Sequence, residues 1–272
     1  MMMRQVTGSW LGLMFRILKI ILILLFFYQS NLFSAIDCDG TDDYFELATS
    51  SGLPTGAPVS VGLWIYPDSV TGQHKIIAHG ERSGTAKGWS FGTSGDELLF
   101  TTHGVKDYLT TSLTIVTGEW QFIGAYLDTA HDVAFYHYRP STNTLATASV
   151  LHGVGMTNPS TGPVTICAND DTVAGNKATF FNGKVEEIFM INAALTQANF
   201  EAIFRSRMRY LPAQIGAANL SMYYMLNEHA DGTNLDGLTI KDYSNSGNNV
   251  TGNDGATNGT LTAKAGEVLS YP

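Results

Sequence analysis

The sequence predicts an all-β protein: a two-sheet antiparallel β-sandwich carrying one short helix late in the chain. Three observations lead there. Only 14% of the 272 residues are charged and 28 are Gly, the composition of many short strands joined by tight turns rather than of a helical bundle or a disordered chain. Apolar residues recur with a period of two in short runs roughly 8–12 residues apart, the spacing of a sandwich. The period lengthens to three or four only once, after Ile191, and no repeated strand–helix unit suggests a parallel sheet. A chain of this length can bury one substantial core.

The chain opens with an apolar run, Ile20–Tyr28, preceded by Arg16 and Lys19 and followed by polar Gln29, Ser30 and Asn31, then Ala35. A basic flank, a short apolar centre and a small residue before the mature chain predict a secretory signal peptide over residues 1–35, with Met14 as an alternative start. The run is shorter than the ~20 residues that span a bilayer. The alternative is an uncleaved signal anchor, which is the one route to a membrane. Arg4, Arg16 and Lys19 fall in this leader, so the chain beyond it is more acidic than the formal net charge of −9. No basic run follows, which argues against nucleic acid or an anionic membrane as partner.

Residues 36–210 carry the strands. The Asp/Gly-rich turn Asp37–Asp43 leads into Tyr44–Leu47. In Val59–Pro67, Val59, Val61, Leu63 and Ile65 share one face while Trp64 and Tyr66 take the other. Strands are expected at Lys75–His79, Trp89–Gly92, Glu97–Thr101, Thr110–Ile115, Glu119–Asp128, Val133–Tyr138, Ala146–Val150 and Val164–Ala168. The last of the series follows Asn182-Gly183 and is apolar on both faces, as in a strand covered on both sides. Strict alternation places Val185, Glu187, Phe189 and Ile191 on one face, and Glu186, Ile188 and Met190 on the other. A short helix then gathers Leu195, Phe200, Ile203 and Phe204 on one side.

Taken together these segments resemble the laminin G-like (LamG), concanavalin A-like lectin/glucanase jelly roll. Cys38-Asp39-Gly40-Thr41-Asp42-Asp43-Tyr44 is similar to the family's FDG-x-DDY opening, with Cys38 where Phe is usual. Val59–Pro67, Glu119–Asp128, Val164–Ala168 and Phe180–Leu195 resemble later strands of the family, in family order. The C-terminal extension, 211–272, offers Leu220–Leu226, Asp242–Asn249 and Asn258–Leu261. These resemble a passage that precedes the FDG opening in many such domains. A permuted unit, in which the extension adds edge strands to the same sandwich, is one expectation; a truncated repeat or loosely ordered tail is the other.

Cys38 and Cys167 are the two cysteines. In an exported protein they form one disulfide closing a long loop; otherwise they are two small buried side chains. For chemistry, the sequence offers little. Hydrolysis of a glycosidic bond needs two carboxyls facing one sugar. The acidic strand Glu186-Glu187 is followed at two-residue steps only by Phe189, Ile191, Ile188 and Met190. There is no H-E-x-x-H or C-x-x-C. His74, His79, His103, His131, His137, His152 and His229 are dispersed. A non-enzyme is expected.

What the resemblance implies is recognition: an exported lectin-like module binding carbohydrate or a cell-surface or matrix protein. A structural or adhesive protein and, behind it, a glycoside hydrolase are the alternatives. Calcium needs six to eight oxygens, and two oxygen-rich loops supply candidates: Asp39, Asp42 and Asp43, and Asn169, Asp170 and Asp171. Trp64 and Trp120 are expected in the core. Trp89 and Tyr108, next to loops, are the candidate sugar-stacking residues.

Overall fold

A computed structural model describes residues 19, 34–47, 52–81, 87–152, 162–170, 176–206, 219–244, 246–255 and 261–265. The expected leader lies outside these residues except for Lys19 and its last two positions, Ser34 and Ala35, which begin the first strand. No described helix is long and apolar enough to cross a membrane.

Strands β1 (Ser34–Asp39) and β2 (Tyr44–Leu47) flank the Asp-rich turn, and β3 (Val59–Pro67) follows. A run of hairpins comprises β4 (Gln73–Glu81), β5 (Lys87–Ser94), β6 (Glu97–Thr102) and β7 (Lys106–Thr114). Then come β8 (Gln121–Leu127), β9 (Val133–Arg139) and β10 (Thr144–Val150). β11 (Val164–Ile166) precedes a small ribbon, β12 (Asn169–Asp170) with β13 (Lys177–Ala178), and then the long β14 (Asn182–Ile191). The helix α1 spans Gln197–Ser206, and β15 (Leu220–Tyr224), β16 (Thr239–Ile240), β17 (Val250–Asn253) and β18 (Thr262–Ala265) complete the chain.

These strands form two large sheets. The first has the order β10-β9-β8-β3-β14-β1-β18, with β15 also paired to β14; the second runs β16-β17-β2-β11-β4-β5-β6-β7. Every named strand pair is antiparallel. The C-terminal residues are part of this sandwich: β15 and β18 join the first sheet, β16 and β17 the second. Their seat is fixed by Asp242. Its Oδ1 accepts from Tyr223 N and Ser244 N, and its Oδ2 from Ser244 Oγ and Asn248 N. Asn248 Nδ2 in turn donates to Ser221 O. The Asp-x-Ser-x-x-x-Asn spacing is therefore a polar latch whose carboxylate is fully engaged by the protein.

Between the sheets lies the main core. Val59, Val61, Leu63 and Ile65 face it as their alternation requires, meeting Phe91, Phe100, Ile123, Phe135, Val185 and Met190. The tail contributes Met222, Tyr224, Ile240 and Val250 to the same core. The disulfide Cys38–Cys167 crosses from β1 in the first sheet to the turn after β11 in the second. It closes a span of 129 residues, and the chain-entropy account gives about 5 kcal/mol for a loop of that length.

A second apolar layer covers the outer face of the first sheet. Trp64, Trp120, Phe122, Tyr138 and Phe189 meet Leu195, Phe200, Ile203 and Phe204 of the helical segment there. Thr196 caps α1: its Oγ1 accepts from Asn199 N while Asn199 Oδ1 accepts from Thr196 N, a reciprocal box at the helix start. Phe200 stacks on Tyr136 at 4.3 Å and Phe204 on Tyr138 at 4.1 Å. The sheet makes room with glycine, since a Cβ at Gly124 would lie 2.6 Å from the Phe200 ring and one at Gly62 would lie 2.5 Å from Phe189. Each such buried Phe contributes about 1.5–3 kcal/mol.

One sequence expectation fails inside β14. Strict alternation sets Val185 opposite to Ile188 and Met190, yet all three point into the main core, and Phe189 and Ile191 lie in the outer layer. The cause is a β-bulge. The register against β3 shifts between Glu186 and Phe189, and Glu187 takes a positive φ of 51°. An extra residue in one strand reverses the facing of everything beyond it.

Candidate functional site: rim loop and edge groove

The first candidate calcium loop is the turn between β1 and β2. Asp39 Oδ1 accepts from Thr41 N at 2.7 Å and Asp42 N at 3.3 Å, and Asp43 Oδ2 accepts from Asp39 N at 2.9 Å. These bonds fold the loop so that Asp39, Asp42 and Asp43 each bring a carboxylate oxygen within 4.8 Å of the others. The tail closes over the loop. A Cβ on Gly255 would lie 2.4 Å from that of Asp42, and Asp254 Oδ1 accepts from Leu261 N. Three converging anionic oxygens fit a hard, oxygen-seeking cation.

In the second candidate loop, Asn169 and Asp170 form β12 and are buried; Asp171 lies outside the described residues. Lys177 Nζ sits 2.5 Å from Asp170 Oδ1 and 2.5 Å from Glu46 Oε2, over the Tyr44 ring. Burial alone would depress the Lys177 ammonium, but the hydrogen bonds it donates to Asp170 and Glu46 outweigh burial and raise its pKa. The cation expected here as calcium is thus supplied by the chain itself: Asp170 is a partner of Lys177.

Trp89 and Tyr108, expected to stack on sugar, are both 0% exposed. Trp89 stacks on Phe100 at 5.4 Å with the His79 ring edge-on, and the Tyr108 hydroxyl donates to His131 O. Neither presents a ring face to a ligand. The signal was in the sequence: Trp89 and Phe91 stand two apart in one strand and share the core face. Trp64 and Trp120 are buried, as expected. The acidic pair of β14 is enclosed as well, Glu186 at 1% and Glu187 at 6% exposure.

An open groove of about 310 Å³ lies at the sandwich edge, where β7 of one sheet runs beside β9 and β10 of the other. Ser112, Leu113 and Thr114 of β7 form one wall, Thr142, Thr144 and Ala146 the other, with His137 and Arg139 of β9 also lining it. Sequence reasoning passed over it, because dispersed Ser and Thr on edge strands carry no motif.

The groove's polar groups are held by their neighbours. Arg139 forks onto Glu119, Nε to Oε1 at 2.7 Å and Nη2 to Oε2 at 3.1 Å, with Ser141 Oγ donating to Oε1. The Arg139 hydrogen bond holds the Glu119 carboxyl below the usual carboxylate range. Gln121 is oriented by Val116, donating to its carbonyl and accepting from its N–H. Its Oε1 therefore accepts from His137 Nε2 at 2.9 Å. Burial pushes the His137 pKa down to about 4, so the ring is neutral and Nδ1 is its acceptor.

Fold and candidate sites together describe a two-sheet antiparallel β-sandwich with an acidic rim turn, a disulfide between the sheets and a groove at one edge. The Laminin_G_3 family, described as the Concanavalin A-like lectin/glucanases superfamily, matches residues 39–199, and the chain belongs to it. Comparison with curated proteins gives no match. Among solved structures, the chain is similar to a candidate carbohydrate-binding protein of Bacteroides ovatus, at 17% identity and a TM-score of 0.57. That match covers 86% of this chain and 60% of the other, so this chain spans less than two thirds of the Bacteroides protein. It is also similar to a SAP-like pentraxin of Limulus polyphemus, at 16% identity, TM-score 0.49 and coverage of 63% and 82%. A third is domain 4 of the arabinanase AbnA of Geobacillus stearothermophilus, solved with arabinotriose, at 16%, 0.44, 62% and 75%. At these identities the likeness is one of fold.

Proposed function

We propose that this chain is an exported, non-catalytic recognition module for carbohydrate on a cell surface or in a matrix. The observation that carries this reading is the edge groove: its lining residues are four Ser and Thr, His137 and Arg139, beside Leu113 and Ala146, with no Asp or Glu among them. Hydrogen-bonding groups without a facing acid pair suit holding a sugar rather than cleaving it. A disulfide that links the two sheets supports maturation in an oxidising compartment. Asp39, Asp42 and Asp43 would hold calcium at the rim, where it would supply a fixed charge and brace the turn.

The test is a glycan array with and without a calcium chelator, paired with an assay for reducing-end release from the glycans retained. Retention without release is the expected result; release of product would replace the module with a hydrolase, and no retention would remove the carbohydrate reading. Adhesion through protein contact is the second reading, favoured by Leu151, a large apolar side chain 71% exposed just after β10. Retention of a surface protein but of no glycan would select it.

A further inference from the structure

We propose that the edge groove between β7 and β9–β10 is the saccharide subsite, and that it takes a neutral sugar edge-on, through a vicinal diol. This rests on the carbohydrate-recognition reading above and adds the place, the binding mode and the ligand's charge. His137 and Arg139, two residues apart on one face of β9, both line the groove. His137 is almost fully buried, its Nε2–H is committed to Gln121 Oε1, and among the described residues no group bonds its Nδ1. Arg139 commits Nε and Nη2 to Glu119, which leaves Nη1 as a donor. One sugar hydroxyl can donate to the imidazole while its neighbour accepts from the guanidinium. Around them, Thr142 Oγ1 donates to Arg139 O and Thr144 Oγ1 to Thr142 O, so their oxygens face a ligand as acceptors. Ser112 and Thr114 hydroxyls complete the rim of the groove.

Charge decides against acidic sugars. Glu119 neutralises Arg139, no other lining residue is charged, and the protein carries a net charge of −9, so a uronate or sulfate would be repelled at range without a free cation to meet it. Size and lining decide the mode. A volume of 310 Å³ is at the lower end of ligand sites, about 300–1,000 Å³, room for a ring or two. The lining has no Phe, Tyr or Trp for a sugar face to stack on, and its apolar residues are Leu113 and Ala146.

The experiment is titration of the wild-type chain and two variants with matched neutral and uronate-containing oligosaccharides, with melting temperature as the control for folding. Thr144→Trp and Ser112→Tyr fill the groove from opposite walls at exposed edge-strand positions that favour aromatic residues. Wild type is expected to bind the neutral series at least about tenfold more tightly, and both variants to lose about tenfold or more with unchanged melting. If one variant fails to fold, the other carries the test. Wild-type affinity in the folded variants, or a wild-type preference for uronates, overturns this proposal and leaves the recognition module standing. No binding of any glycan by the wild type overturns both.

Discussion

Two acidic loops sit at opposite ends of one disulfide and have opposite chemistry. Cys38 runs directly into Asp39, and Cys167 into Ala168 and Asn169. On the first side, three carboxylates converge with backbone N–H donors around them. On the second, Lys177 is enclosed by Asp170 and Glu46. Similar composition produces a turn of three converging carboxylates in one place and a lysine-bridged ion cluster in the other. The partner that defines the second cluster, Lys177, stands outside the Asn169–Asp170 pair, so the loop's own residues do not reveal it.

The largest effect should come from cutting the link. Cys38→Ser with Cys167→Ser is expected to lower stability by about 5 kcal/mol, read as a shifted denaturant midpoint. An unchanged midpoint would mean the loops are positioned by the sheets alone. Next, Lys177→Met strands Asp170 and Glu46 without their cation. A loss of about 3–4 kcal/mol is expected, the range for breaking a buried pair. Calcium should then stabilise the variant more than it does the wild type.

Comparison of the loops is clean only above about pH 6.5, because two buried histidines dominate below it. His79 and His137 are each pushed down to about 4, chiefly by burial. The unfolded chain takes up protons first, so stability falls as pH drops from 6.5 towards 4, by about 3 kcal/mol per histidine. His137→Gln should flatten its share of that slope. The ammonium side behaves oppositely. The raised pKa of Lys177 makes its contribution complete below 10.5, with loss only as pH rises through the folded value. The smallest effect concerns the rim: saturating calcium should add about 2 kcal/mol to the wild type, and Asp42→Asn should abolish the gain. An equal gain in Asp42→Asn would place any calcium elsewhere.

Much of the architecture was legible. The alternation of Val59 to Ile65, the change of period at the helix, and the order of the segments are local patterns, and local sterics and burial enforce them. The bulge at Glu187 was not, because register belongs to the pair of strands rather than to either one. Trp89 was misjudged because its nearness to a loop outweighed its spacing from Phe91. The edge groove was invisible, since its lining comes from strands in different sheets, and the hydrogen bond between His137 and Gln121 joins groups sixteen residues apart.

By itself the sequence determined the layers: which residues seek the interior, where strands stop, and that one amphipathic helix must find an apolar face. Those choices follow from side-chain polarity and backbone period, which neighbours along the chain impose. Only the tertiary structure decided that Asp170 meets Lys177, that the tail joins both sheets, and that His137 and Arg139 line a groove at the sandwich edge. Each of these depends on groups distant in sequence whose charges and hydrogen bonds act only once the sheets are stacked.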